Sequence, residues 1–118
     1  MTLNFEGGGM GKLLRVTVKH KGTVKQPIIW HPGEKTLSAF FKIIQEKREP
    51  PHTCATITAA LRAQGFHVWR DAVGDDIHTF CELGVLEVSR IGREHYVKPV
   101  FNSFSIFDSG NGLVLEFK

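Results

Sequence analysis

Two pairs of soft ligands are the first candidates for chemistry: His52 and Cys54, and His78 and Cys81. Two imidazoles and two thiolates would complete the tetrahedron that zinc prefers. Neither spacing is that of a zinc finger, and Cys81 falls on an apolar stripe, where a free cysteine packs as a small hydrophobe. The expectation is no cofactor, with zinc on His52, Cys54, His78 and Cys81 as the alternative. Nucleophilic catalysis would need a cysteine beside a histidine that a third group orients. Cys54 with His52 or His67 offers the pair, but no strained elbow, oxyanion loop or Gly-rich cofactor turn accompanies it. Asp75 and Asp76 are adjacent carboxylates that point about 100° apart on a helix, so they share neither proton nor metal and read as a solvated face. Gly7, Gly11 and Lys12 fall one residue short of a phosphate-binding loop, and no Ser or Thr follows the lysine. Enzyme chemistry is therefore not expected.

Charge is distributed unevenly. Residues 1–48 hold nine Lys or Arg against three acids, and residues 49–118 hold six against nine. The basic half suits phosphate or an acidic partner. Four of its cations, Arg15, Lys19, Lys21 and Lys25, fall on one short stretch, and Arg90 and Arg93 flank Ile91-Gly92 further on.

The elements that must position these groups follow from periodicity. Residues 1–11 are glycine-rich and read as a flexible tail, with Met10 a candidate start; residues 12–118 read as a single domain. Leu14, Val16 and Val18 alternate with Arg15, Thr17 and Lys19, which predicts a strand. Lys21-Gly22 is a turn, and residues 24–30 form a second strand that Pro27 weakens. A helix over 37–47, capped by Thr36, carries Leu37, Phe40, Phe41 and Ile44 at spacings of three and four. That stripe serves a core or a dimer contact equally well. Pro50 and Pro51 close it. A second helix runs from Thr53 to Gln64 with Ile57, Ala60 and Leu61 inward, and a third from Arg70 to Leu83 with Val73, Ile77, Phe80 and Cys81 on one side. Residues 85–88 and 94–97 form a two-stranded ribbon around a tight turn at Ile91-Gly92. Residues 101–107 and 113–117, split by Asp108–Gly112, predict a last hairpin.

The run DDIHTFCELGVLEVSRIGREHYVKP, from Asp75 to Pro99, resembles the last helix and wing of a winged helix-turn-helix domain. The order helix, helix, turn, helix, β-ribbon covers about residues 36–99 and is similar to small bacterial and archaeal repressors. The resemblance implies an α+β fold: a winged helix-turn-helix core with an extra N-terminal β-hairpin and a C-terminal β-hairpin. It also implies a DNA-binding transcriptional regulator whose third helix enters the major groove while the wing grips the backbone of double-stranded DNA. Carried onto this chain, the outer face of the third helix is Arg70, Asp71, Asp75, His78, Thr79 and Glu82, and the wing is Ser89, Arg90, Arg93 and His95.

The two halves of that resemblance carry opposite charge. Arg90 and Arg93, at a hairpin tip, suit phosphate, as do Lys19, Lys21 and Lys25 on the N-terminal hairpin. Arg70, His78 and Thr79 are the candidates for base edges. Asp71, Asp75 and Glu82 share a stripe that would repel phosphates. An alternative follows: a winged helix used as a protein-interaction module in a transcription or replication assembly, with Asp71, Asp75 and Glu82 meeting a basic partner. Many such domains also form homodimers.

Composition sets the frame. A chain of 118 residues with 42% hydrophobic and 23% charged residues suits one globular core. No apolar run reaches the roughly 20 residues that cross a bilayer, so no membrane contact is expected. With no leader-like N-terminus and only two cysteines, a cytoplasmic setting is expected. Trp30, Trp69, Tyr96 and nine phenylalanines mostly sit in apolar patterns, which points to core packing rather than base stacking; Trp69, in an inter-helix turn, is the exception.

Overall fold

A computed structural model describes residues 14–30 and 33–118. The glycine-rich residues 1–11, and with them Gly7, Gly11 and Lys12, lie outside the described residues.

The described chain begins with a hairpin. Strands β1 (Leu14–Arg15) and β2 (Thr17–His20) run out, and β3 (Thr23–Lys25) and β4 (Ile28–Ile29) return. One register holds throughout, with Leu14 opposite Ile29, Val18 opposite Lys25 and His20 opposite Thr23. Lys21 and Gly22 turn the corner with φ of 50° and 78°, the left-handed pair whose twist matches that of the strands. In the middle, Val16 donates its N–H to the Pro27 carbonyl at 3.1 Å. Proline has no N–H to return, so regular pairing lapses there.

Three helices follow. Helix α1 (Glu34–Ile44) starts three residues before the expected position and ends three before it. Its cap is Gly33, with no side-chain hydrogen bond, and Thr36 is a buried residue of the helix rather than its cap. Leu37, Phe40, Phe41 and Ile44 are all buried as their spacing predicts. Helix α2 (Cys54–Ala63) starts on a reciprocal cap: Thr53 Oγ1 accepts from Thr56 N–H at 3.3 Å, and Thr56 Oγ1 accepts from Thr53 N–H at 2.8 Å. Helix α3 (Arg70–Glu82) ends at Leu83, and Gly84 takes the left-handed φ of 81° that lets the chain leave.

The chain passes at once into a ribbon of β5 (Leu86–Ile91) and β6 (Glu94–Pro99), closed by a two-residue turn at Gly92-Arg93. The ribbon is anchored to the start of α2. Tyr96 forms an isolated bridge with Thr53, and Val97 N–H donates to the His52 carbonyl at 2.7 Å. Strands β7 (Phe104–Asp108) and β8 (Leu113–Phe117) complete the chain.

The two terminal hairpins are not separate additions. β2 pairs parallel with β8, giving one four-stranded sheet in the order β3-β2-β8-β7. A lone two-stranded hairpin is marginal in water, and joining the two buries Val16, Val18, Leu115 and Phe117 together. The architecture is thus α+β: three helices with a ribbon on one side, and a mixed sheet on the other. Phe41 lies where the halves meet. Its ring is 4.9 Å from Phe80 of α3 and 4.9 Å from Phe117 of β8, centroid to centroid. Among the described residues no helix is long and apolar enough to cross a membrane.

Candidate nucleic-acid interface

The ribbon tip sorts its side chains by the two-residue period of a strand. Leu86 and Val97 enter the core, so their face continues outward through Val88, Arg90 and His95. Arg90 and His95 are cross-strand partners, and Arg93 sits in the turn beside them. All three are exposed. The opposite face carries Glu87, Ser89, Ile91, Glu94, Tyr96 and Lys98. Ser89 is half-buried and pairs with Tyr96. Among the described residues neither Arg90 nor Arg93 forms an ion pair, so both guanidinium groups are open to an anion from outside.

The second basic surface is the N-terminal hairpin. Residues 14–29 contain Arg15, Lys19, Lys21 and Lys25 and no acid. All four are exposed. Arg15 Nη1 donates to the Gln26 carbonyl at 3.3 Å, which lays it along the hairpin. Lys19 shares a strand level with Glu116 of β8, while Lys21 sits at the turn and Lys25 on the outer strand β3. Ribbon and hairpin belong to different sheets.

Helix α3 presents the opposite sign. Asp71, Asp75, His78 and Glu82 are exposed, and His78 Nε2 lies 3.6 Å from Glu82 Oε1. Arg70 is exposed at its first turn. Thr79 is half-buried, and its hydroxyl donates to the Asp75 carbonyl at 3.0 Å. Trp69 precedes the helix and is 50% exposed. The candidates for base contact are therefore interleaved with carboxylates on one helix.

Asp76 does not belong to the solvated face expected for it. It is 1% exposed, and its Oδ1 accepts the Trp30 N–H at 2.7 Å, tying α3 to the end of the N-terminal hairpin. The signal was present in the sequence: Asp76 completes the stripe Val73, Ile77, Phe80 at spacings of three, one and three, where a buried carboxylate must find donors.

Among the described residues no group of three or more His, Cys, Asp or Glu is placed to hold a metal ion. His52 is 4% exposed and sits in a polar cage. Its Nδ1 is 2.8 Å from Thr56 Oγ1 and 3.1 Å from Arg48 Nη1, and its Nε2 is 3.2 Å from Glu46 Oε1. The Arg48 guanidinium beside the ring would repel a metal cation. Cys54 lies 3.5 Å from the Arg70 carbonyl and packs near Gly74. His78 points to solvent on α3. Burial, with the Glu87 carboxylate adding to it, raises the Cys81 thiol above its usual pKa and keeps it protonated near neutrality, the form that does not bind metal.

Compared with protein-family models, with curated proteins and with solved structures, the chain finds no match in any of the three.

Proposed function

We propose that the chain is a winged-helix protein that binds double-stranded DNA by its phosphate backbone, as a regulator of transcription. The observation that carries this reading is the ribbon tip, where Arg90, Arg93 and His95 are exposed and Arg90 and Arg93 have no internal carboxylate partner. The bridge from Tyr96 to Thr53 supports the winged-helix reading, because it fixes the ribbon beside α2 as a wing must be fixed. Lys19, Lys21 and Lys25 supply further phosphate contacts from the hairpin. The acidic face of α3 limits base reading, so binding is expected to depend weakly on sequence, with Arg70, His78 and Thr79 the base-edge contacts.

The test is a titration of a random-sequence duplex at stepped salt concentrations. Affinity should fall as salt rises, with a log–log slope of about −0.9 for each phosphate neutralised. The Arg90→Ala, Arg93→Ala double variant should bind more weakly and lose about two such increments of slope. Absence of binding at low salt sinks the proposal.

A protein-interaction reading rests on a different observation: Asp71, Asp75 and Glu82 are exposed on α3 with Trp69 half-exposed at its start. That pairing of an aromatic anchor with carboxylates suits a basic protein partner. Charge reversal at Asp71 and Asp75 should abolish co-purification with such a partner and leave duplex affinity no weaker.

A further inference from the structure

The four-stranded sheet has two edge strands, β3 with three residues and β7 with five. Which backbone groups of β7 are free follows from the neighbouring bonds. Ser103 and Lys118 exchange both N–H···O bonds, at 3.0 and 2.9 Å, and Ser109 N–H donates to the Gly112 carbonyl at 3.0 Å. In an antiparallel pair such narrow pairs alternate with wide ones. Ser103, Ser105, Phe107 and Ser109 therefore turn their polar groups to β8. Phe104, Ile106 and Asp108 turn theirs to the open edge, where no described residue makes a backbone hydrogen bond to them. Beside that edge runs a groove whose other wall is one stripe of α1: Glu34, Ser38, Lys42 and Gln45. Gln45 Nε2 donates to the Asn102 carbonyl at 3.1 Å, so the C-terminal end of α1 stands at the start of β7. The groove is basic at that end, through Lys42, and acidic at the other, through Glu34.

We infer that β7 is a homodimer interface, with β7 of a second copy of this chain added antiparallel at the open edge. Two features make the edge self-complementary. A two-fold axis at Ile106 sets Ile106 opposite itself and Phe104 opposite Asp108 of the second copy, so every pair consists of outward-facing backbone groups and exchanges both its bonds. The same axis reverses α1, so the Lys42 end of one groove faces the Glu34 end of the other. Ser105 and Phe107 come opposite each other on the outer face, which covers a phenylalanine that is 42% exposed in the single chain. Residues Phe104–Phe107 of β7 are uncharged, Asp108 closes the strand, and none of its five positions is a lysine or proline of the kind that blunts a solitary edge.

The test is sedimentation velocity of the full chain from low to high micromolar concentration. The chain should reach the dimer mass. Ile106→Pro removes an outward N–H together with a side chain packed against the edge of the core, and should give a monomer with unchanged far-ultraviolet circular dichroism. Because that variant risks misfolding, charge reversal gives an independent reading. Glu34→Lys and Lys42→Glu should each weaken dimerisation about 3- to 10-fold, and the double variant should restore it. A chain that remains a monomer at 200 µM overturns the proposal, whether its own residues 1–13 or a strand of another protein takes the edge. So does a dimer that Ile106→Pro, still folded, leaves intact, or a double reversal no better than the single ones.

Discussion

Replacing Phe41 with alanine tests whether the two halves of the molecule share one core. The Phe41 ring is fully buried and lies 4.9 Å from Phe40, 4.9 Å from Phe80, 5.8 Å from Phe101, 5.6 Å from Phe104 and 4.9 Å from Phe117. Truncating a buried phenylalanine costs about 3–5 kcal/mol, depending on how far the site can collapse. Here the neighbours come from α1, α3, the segment after the ribbon and two strands of the sheet, so no single movement can fill the void. Four of the contacts are edge-to-face, at interplanar angles of 69° to 82°, and such pairs are each worth roughly 0.5–1.5 kcal/mol beyond burial. The loss should therefore lie near the top of the range, about 4–5 kcal/mol. With an m-value of about 2 kcal/mol/M in urea, the midpoint should fall by about 2 M. Circular dichroism and tryptophan fluorescence should report one shared transition, since Trp69 belongs to the helical half and Trp30 follows the hairpin. Val24→Ala, on the exposed side of β3, is the control and should move stability by less than about 0.5 kcal/mol. A loss below about 2 kcal/mol at unchanged m, or two separated transitions, would refute the shared core.

Other outcomes follow from single contacts. Thr53→Ala removes one half of the reciprocal cap of α2 and should cost about 1 kcal/mol in urea unfolding, with the Thr56 half retained. The Cys81 thiol should resist alkylation: in a Cys54→Ser background its iodoacetamide rate should rise with pH about a midpoint above that of the urea-unfolded chain. The sign carries over to stability. The folded state holds the Cys81 proton more tightly, so this contribution is complete below the unfolded thiol pKa and is lost as pH rises through the folded value. Native chain and Cys81→Ala should therefore converge in melting temperature between neutral and alkaline pH; parallel curves would contradict the burial of that thiol.

Periodicity made the elements legible because burial imposes it. Leu37, Phe40, Phe41 and Ile44 had to lie inward wherever α1 began, and only its ends slid, since Gly33 offers no side-chain cap to mark the start. The parallel pairing of β2 with β8 was not legible. It joins residues nearly a hundred positions apart, and nothing in either hairpin names the other. For Asp76 the 100° between adjacent helical positions does more than separate it from Asp75: it turns Asp76 onto the buried stripe, away from the solvated face expected for both.

His52 carries the point furthest. By residue type it is a candidate metal ligand, and in the fold its ring is enclosed by Thr56, Arg48 and Glu46 while its carbonyl receives the Val97 N–H. One residue thus joins the end of the α1–α2 connection, the first turn of α2 and the ribbon. Chemistry that looks available in a sequence is used up once the chain closes around it. The groups that remain available are those with no internal partner, and on the ribbon they include Arg90 and Arg93, held out on a strand pair whose position His52 and Thr53 fix. The residue weighed as a ligand therefore helps to set the position of the cations on which DNA binding is proposed to rest.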